Sequence, residues 1–282
     1  MISVISSQVS DNLPEQSVFY IIPVYNLSWM TINLLESTTA YSQIKKPVYT
    51  IIDNGSEDNE TKSVLNYLLD KNLSHILLKN ETPLGFPKAV NIGFKMAISY
   101  NCKYIFLLNN DTLVSPSWDT NLVRIIKNSK YGALGPITTK QSWRDTFHAQ
   151  QIIENKFKFS QFKKSYDRHC KVISSSFGKK IIKTNFIPFF CVAFNTKFLD
   201  KVGLLDENFK SGLFEDTDYC LRIIKLGGSI AVDYSTYVHH FHHSTFIKHQ
   251  YNYGKIISEN QKYFLSKNHV DPLKFKSISE VV

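Results

Sequence analysis

The chain has 282 residues, of which 43% are hydrophobic and 20% are charged, and its formal net charge is +9. This composition excludes an intrinsically disordered chain, and no apolar run reaches the roughly 20 residues that a membrane-spanning helix needs. The four cysteines stand far apart, which argues against a zinc site or a disulfide framework. Residues 1–16 lack the basic start and apolar core of a signal peptide, so we expect a cytoplasmic protein with free thiols.

Short apolar runs without alternation predict strands that are buried on both faces. These runs cover residues 18–22, 48–52, 76–78, 104–108, 132–137 and 230–232. Helical spacing or capping residues mark residues 28–41, 59–69, 87–99 and 118–128, the segment that begins at 215, and the tail over 244–267. Pro23 is expected to end the ladder of the first strand because it has no N–H. Strands that alternate with helices predict an α/β domain with a mostly parallel central sheet flanked by helices.

Polar residues follow three of the predicted strands directly. These clusters are Tyr25-Asn26, the sequence DNGSED at 53–58, and Asn109-Asn110-Asp111. Ligands bind at the carboxyl ends of strands in open α/β sheets, so the clusters predict a ligand site at one sheet edge. Each cluster taken alone is equally an ordinary turn. The glycine-rich signatures of dinucleotide-binding and phosphate-loop enzymes are absent, which disfavours both classes.

The positive charge is concentrated in one segment, residues 150–184. Nine lysines and arginines stand there against Glu154 and Asp167, a local charge of +7. Such a segment suits an anionic membrane surface, a phosphorylated substrate or nucleic acid, and a solvated face or loop is the alternative. No nucleic-acid recognition motif accompanies the charge, so we do not expect a nucleic-acid partner.

The order of several sequence blocks resembles the family 2 glycosyltransferases, inverting enzymes that include rhamnosyl-, galactosyl- and glucosyltransferases. The blocks are IIPVYN at 21–26, DNGS at 53–56, LGFPKAVNIG at 84–93, LNNDT at 108–112, VGLLDE at 202–207, EDTDYCLR at 215–222, and His240 before Ser244. The resemblance implies a GT-A nucleotide-diphospho-sugar transferase fold over residues 1–250. Residues 150–184 would then be a basic insertion or acceptor-side segment, and residues 251–282 a helical tail.

The resemblance also implies a metal site for Mn²⁺ or Mg²⁺, which would stabilise the leaving diphosphate. Asp111, the last residue of the family's Asp-x-Asp motif, is the expected ligand. The first aspartate of that motif is Asn109 here, so one carboxylate is kept and the attraction for the cation is weaker. His240 is the expected second ligand, and surface histidines at a strand end are the alternative. The rivals for its position are His239, His242 and His243.

Further roles follow from the same resemblance. Asp216 would take the proton of the acceptor hydroxyl as it attacks the sugar, although a capping carboxylate is the alternative. Tyr25 would contact the nucleotide base, and Asp53 would accept a hydrogen bond from an imide N–H such as that of uracil or thymine. Both are equally explained as turn residues. Lys88 would lie near the phosphates, or be an exposed helix charge. The other implied donor-site residues are Pro23, Asn109, Asn110, Asp111 and Glu215.

We therefore expect a metal-dependent hexosyltransferase that uses a UDP- or dTDP-sugar and a glycan or lipid-linked acceptor. It would act in bacterial surface polysaccharide or glycoconjugate biosynthesis. It would also make a peripheral contact with the inner face of the membrane. One alternative is a non-catalytic binder or scaffold, supported only by Asn109. A sugar-1-phosphate nucleotidyltransferase is disfavoured because residues 23–26 lack the glycine-rich signature of that class.

Overall fold

The computed structural model describes residues 2–10, 17–127, 130–138, 148–210, 212–242 and 253–276. The strands are β1 Ile2–Gln8, β2 Val18–Val24, β3 Val48–Asp53, β4 His75–Asn80, β5 Tyr104–Leu108, β6 Thr112–Val114, β7 Tyr131–Ile137, β8 Ile181–Thr184, β9 Cys191–Asn195 and β10 Ser229–His240. The helices are α1 Ser28–Tyr41, α2 Asp58–Asp70, α3 Phe86–Ser99, α4 Trp118–Lys127, α5 Ala149–Asn155, α6 Phe159–Phe177, α7 Thr196–Val202, α8 Glu215–Lys225, α9 Tyr253–Asn268 and α10 Pro272–Lys276.

The described strands form one ten-stranded sheet in the order β1-β4-β3-β2-β5-β9-β7-β10-β6, with β8 paired to β10. The run β4-β3-β2-β5 is parallel, which confirms the predicted strand–helix units. β9 lies antiparallel to both β5 and β7, so the sheet as a whole is mixed. Because β10 is parallel to β7, it runs in the same direction as β5. The carboxyl ends of β2, β3, β5 and β10 therefore share one edge.

Apolar layers cover both faces of the sheet. Along β2, Tyr20 belongs to one layer and Ile21 to the other, as the alternation of a strand requires. α1, α4 and α6 contribute to the first layer, whereas α3 and α8 contribute to the second. α3 packs so closely on β2 that a Cβ on Gly93 would lie 2.4 Å from Ile21 Cγ2. This contact explains why a glycine stands in the middle of that helix.

Pro23 does not end the first strand, contrary to the prediction. β2 continues to Val24, and Pro23 is paired in register with Ile52 of β3. On the other side the ladder between β2 and β5 ends at Ile21. A proline removes one donor, which points to only one neighbouring strand. Pairing is therefore lost toward β5 alone.

The basic segment 150–184 is part of the folded core and not a loop. It forms α5, α6 and β8, and β8 pairs antiparallel with β10. α6 buries Phe159, Phe162 and Tyr166, among others, while Lys164 and Lys171 remain exposed. The charges thus occupy one face of an amphipathic helix, which is why the apolar spacing was obscured in the sequence. Its separate role as an insertion or acceptor-side segment stays a prediction.

The tail is helical from residue 253 onward, and residues 243–252 lie outside the described part of the chain. Phe264 of α9 is fully buried in a cluster with Phe209, Phe214 and Leu221. This helix therefore packs beside the start of α8. Among the residues that the structure describes, no helix combines the length and the hydrophobicity needed to cross a bilayer.

Candidate functional site

The polar clusters that follow β2, β3 and β5 lie at the sheet edge shared by those strands and β10. β10 is longer than predicted, with twelve residues, and it ends at His240. It pairs antiparallel with β6, which places His240 opposite Thr112. The N–H of Phe241 donates to the carbonyl of Asp111 at 3.0 Å. The end of β10 is thereby brought against the residues that follow β5.

Asp111 and His240 form the centre of this edge, with 3.3 Å between Asp111 Oδ1 and His240 Nε2. The His240 ring stacks on Phe190 with 5.1 Å between ring centroids. Burial acts to raise the pKa of Asp111, but the charges of His240 and His242 and a hydrogen bond from His240 outweigh it, and the pKa is lowered. Asp111 is therefore a carboxylate at neutral pH.

The structure distinguishes the neighbouring histidines by their contacts. His239 is buried and its Nδ1 lies 2.9 Å from the hydroxyl of Tyr237. Burial lowers the pKa of His239 well below its usual value. The His242 ring lies 4.3 Å from the His240 ring between centroids, and His243 lies outside the described residues. His240 makes an ion-pair contact with Asp111, and the charge of His242 also acts on Asp111.

The donor set at this position suits a hard divalent cation. Two adjacent ligands of one octahedral ion with bonds of about 2.1 Å lie about 3 Å apart, close to the separation of Asp111 and His240. Asn109 Oδ1 is buried and makes no hydrogen bond within the described residues, so a third oxygen is available nearby. No group of three or more His, Cys, Asp or Glu side chains completes a cage in the described part of the chain. A cation here would take its remaining ligands from a diphosphate and water.

Asp53 holds a tight turn after β3. Its Oδ1 accepts a hydrogen bond from Ser56 N at 2.8 Å and its Oδ2 accepts one from Thr61 Oγ1. Gly55 has a φ of +90°, and a Cβ there would lie 2.8 Å from Pro83 N. The turn is thus pressed against the loop that precedes α3. Asp53 therefore holds its own turn, which was the alternative to a role in binding. Its contact with a nucleotide base stays a prediction.

The remaining predicted donor-site residues differ in burial and contacts. Pro23 and Tyr25 are half-buried at the end of β2, and Lys88 is exposed in the first turn of α3. Asn110 is buried, and its Nδ2 donates to Thr31 Oγ1 at 3.3 Å. Asn26 proves to be structural, because its Oδ1 accepts from the N–H of Glu57 at 2.9 Å.

Glu215 and Asp216 begin α8. Glu215 is buried and Asp216 is half-buried. Asp216 Oδ1 accepts from the N–H and the hydroxyl of Thr217 at 2.6 Å and 3.1 Å. Within the described residues Asp216 Oδ2 makes no hydrogen bond, so this oxygen is available to accept a proton. Asp216 can thus bond to the first turn of α8 through Oδ1 while Oδ2 is available for the predicted role as a base, so the two roles are compatible.

α9 contributes residues that sequence reasoning missed. Asn260 donates to backbone carbonyls in the loop before α8, and Lys267 pairs with Asp206 and Asp218. No motif marks Asn260, and its only sequence signal is a polar residue on the side of α9 that also carries Phe264. Such a position is recognisable once the helix is known to pack inward.

Comparisons with solved structures agree on the fold. GalNAc-T7 with UDP, GalNAc and Mn²⁺ superposes with a TM-score of 0.60 at 17% identity over 82% of this chain, which spans 44% of that chain. The S. aureus TarS fragment 1–349 gives a TM-score of 0.57 at 14% identity, covering 94% of this chain and 76% of the fragment. The mannosyltransferase PcManGT of Pyrobaculum calidifontis with GDP-Man and Mn²⁺ gives 0.53 at 15% identity, covering 82% and 59%. These values confirm the GT-A type α/β fold.

Sequence comparison identifies the family of the chain in addition to its fold. An uncharacterized protein of Methanocaldococcus jannaschii is 23% identical over 191 residues, which are 67% of this chain and 76% of the relative. The pattern described as Glycosyl transferase family 2 matches residues 20–185, more than half of the chain and including Asp53 and Asp111. This match shows that the chain belongs to glycosyltransferase family 2.

Proposed function

We propose that this protein is an inverting, metal-dependent hexosyltransferase that moves a sugar from a nucleoside diphosphate to a glycan or lipid-linked hydroxyl. The observation that carries the proposal is the contact between Asp111 and His240 at the sheet edge, in a chain of glycosyltransferase family 2. Three further features support it: the buried Asn109 Oδ1, the turn at Asp53, and Asp216 at the start of α8. Surface polysaccharide or glycoconjugate synthesis is the process that such a transfer serves.

The donor diphosphate belongs at the Asp111 cluster. Asp111 and His240 would hold Mn²⁺ or Mg²⁺, which when bound neutralises the charge that develops on the leaving diphosphate. Mn²⁺ accompanies UDP in the GalNAc-T7 structure and GDP-Man in the PcManGT structure, which supports this choice of ion. Because Asn109 replaces a carboxylate, the remaining attraction for the ion rests mainly on Asp111.

The base and sugar would lie between the carboxyl ends of β2 and β3 and the start of α8. Tyr25 offers an aromatic face, and each Asp53 oxygen retains a second lone pair that can accept an imide N–H. This chemistry favours UDP or dTDP, although guanine also offers a ring N–H. Asp216 Oδ2 accepts the proton of the acceptor hydroxyl as the new bond to the anomeric carbon forms and the bond to the diphosphate breaks. Attack opposite the leaving group inverts the configuration.

Calorimetric binding of UDP, dTDP, GDP and CDP, each with and without Mn²⁺ or Mg²⁺, tests the donor site. We expect metal-dependent binding of UDP or dTDP by the wild type. Asp111→Asn should weaken that binding by about 10-fold or more and leave metal-free binding unchanged. Equal metal dependence in wild type and Asp111→Asn would remove Asp111 from the site. Metal-dependent binding without any transfer would favour the scaffold alternative.

The basic surface around α6 and β8 suits the proposed membrane contact. Lys164 and Lys171 are exposed on α6, and the exposed sequence KKIIK at 179–183 includes Ile181 and Ile182, which are 47% and 37% exposed. Lysines near an anionic bilayer contribute about 1 kcal/mol each, and the isoleucines add apolar contact. We expect co-sedimentation with vesicles rich in phosphatidylglycerol and none with neutral vesicles. Equal binding to both would contradict an electrostatic contact.

A further inference from the structure

The backbone just before α8 follows an unusual path. Gly212, Leu213 and Phe214 have φ values of 89°, 73° and 69°, three consecutive residues in the left-handed region. A left-handed conformation costs a residue with a Cβ about 1–2 kcal/mol, and two of these residues are bulky. Phe214 is also the N-cap of α8 and provides no side-chain cap. Contacts from elsewhere must therefore hold this path.

Asn260 of α9 supplies these contacts. Its Nδ2 lies 2.7 Å from the carbonyl oxygen of Gly212, 3.1 Å from that of Leu213 and 3.2 Å from that of Lys210. Asn260 is 4% exposed, and its hydrogen bond to Gly212 is buried, whereas those to Leu213 and Lys210 are partly buried. The buried bond is the costly one to lose, because little solvent can replace the amide at the Gly212 carbonyl. One buried amide thus holds the left-handed run.

The same helix is anchored to both sides of this loop. Lys267 Nζ lies 2.7 Å from Asp206 Oδ2 and 2.7 Å from Asp218 Oδ1. Asn268 Nδ2 donates to Asp218 Oδ1 at 3.1 Å. Tyr263 donates its hydroxyl proton to Asp206 Oδ2 at 2.8 Å. Asp206 precedes the left-handed run and Asp218 lies in the first turn of α8, so α9 fixes the loop at both ends.

A movement of this loop would be transmitted to the first turn of α8. The N–H of Asp218 bonds to the carbonyl of Phe214 at 2.9 Å, so the turn that carries Asp216 is hydrogen-bonded to the left-handed run. A Cβ on Gly212 would lie 3.4 Å from Phe86 Cβ of α3, which places the loop against the donor side of the sheet edge. The direction of Asp216 relative to that edge therefore depends on residues 212–214.

We propose that α9 is a positioning element for transfer, in which Asn260 holds residues 212–214 in the left-handed run that directs Asp216. This inference rests on the proposed role of Asp216 as the base. Asn260 touches neither sugar nor nucleotide in this account and acts only through the loop. Loss of its amide should impair proton transfer and leave donor binding intact.

The test replaces Asn260 by leucine, which has a similar volume and no donor, in the full chain. Amide hydrogen exchange should rise for peptides within 206–218 and stay unchanged for those within 104–114. The turnover number kcat should fall at least tenfold, while the Kd for UDP with Mn²⁺ stays within twofold of wild type. The matched control is Lys262→Ala, an exposed position on the same helix, which should change neither exchange nor kcat. Should the leucine variant fail to fold, Asn260→Ser keeps one donor and should show the same changes with smaller size.

Unchanged exchange within 206–218 would overturn the inference, as would raised exchange with unaltered kcat. A rise of Kd in proportion to the loss of kcat would show a general disturbance and would overturn it as well. Amide hydrogen exchange can be measured whether or not the protein transfers sugar. A wild type that binds no donor and transfers no sugar therefore overturns the proposed function, and the exchange result then decides separately whether Asn260 holds the loop.

Discussion

Two loops precede helices that begin beside carboxylates of the proposed site, Asp53 and Asp216, and they are held in different ways. The turn after β3 is held within the first strand–helix units: Asp53 bonds to Ser56 and Thr61, and Asn26 at the end of β2 accepts from the N–H of Glu57. The loop before α8 is held by Asn260, a residue 47 to 50 positions further along the chain. The first loop is therefore set once β2, β3 and α2 have formed. The second is set only when α9 has packed beside it.

The largest expected effect is a loss of sugar transfer when the carboxylate that follows the second loop is removed. Asp216→Asn keeps the hydrogen-bonding geometry and removes the base, so transfer should fall by about 10²–10⁴-fold. The Kd of the donor nucleotide should stay unchanged, because Asp216 acts only on the acceptor. A transfer assay and calorimetry together measure both quantities. Glu259→Gln, an exposed carboxamide substitution on α9, is the control, and full transfer by Asp216→Asn would exclude this residue as the base.

Destabilising the first loop should have an intermediate effect, on folding. Gly55→Ala introduces a Cβ at a φ of +90° and 2.8 Å from the backbone of Pro83. We expect the free energy of unfolding to fall by about 3 kcal/mol. Gly227→Ala is the matched control, since its φ is +75° and no atom of the described residues lies within 4 Å of the added Cβ. It should lose only about 1 kcal/mol, and equal losses in urea denaturation would refute the close contact at Gly55.

The smallest expected effect is a pH-dependent change in stability when the contact between Lys267 of α9 and Asp206 is removed. Burial acts to raise the pKa of Asp206, but hydrogen bonds from Lys267, the N–H of Asn208 and Tyr263 outweigh it and lower the pKa to about 2. A lowered carboxyl pKa stabilises the fold above the unfolded value of about 3.9, and this contribution is lost as the pH falls toward 2. Because Asp206 is partly exposed, its share of the loss in Lys267→Met should be only about 1 kcal/mol at pH 7, and the lost contact with the buried Asp218 adds a further loss.

Urea denaturation at several pH values between 7 and 2.5 measures this contribution. The stability difference between wild type and Lys267→Met should shrink below about pH 4. Lys255→Met serves as the control, because Lys255 lies 3.8 Å from the exposed Glu259 and should contribute little at any pH. A difference for Lys267→Met that is constant with pH would show that Asp206 is not its titrating partner.

Local patterns were enough to predict β2, β3, β4 and β5 and the helices between them, whereas β1 and β6 were not predicted. The apolar runs of β2, β3, β4 and β5 are buried on both faces, and the polar residues that end them share an edge because the strands are parallel. α6 escaped prediction because its buried positions are interleaved with lysines. β10 was predicted as three residues and has twelve, since several polar residues within it are buried or half-buried.

The second half of the site depends on pairing between distant residues. Four histidines within five positions are equivalent in sequence, and only the register of β10 against β6 places His240 beside Asp111 while His239 contacts Tyr237. Asn260 has no motif, and its role follows from the packing of α9 against a loop far earlier in the chain. Sequence blocks can name such residues by resemblance, but strand register and helix packing decide which atoms meet.

The position of β9 sets an order for assembly during synthesis. β9, residues Cys191–Asn195, lies between β5 and β7 and is the bridge between the two halves of the sheet. A growing chain can complete the unit β2 to β5 first, because its contacts are local. His240 joins the sheet edge only after β10 has been synthesised, and α9 contacts the loop before α8 later still. The nascent protein thus completes the turn at Asp53 well before α9 can hold the loop that precedes Asp216.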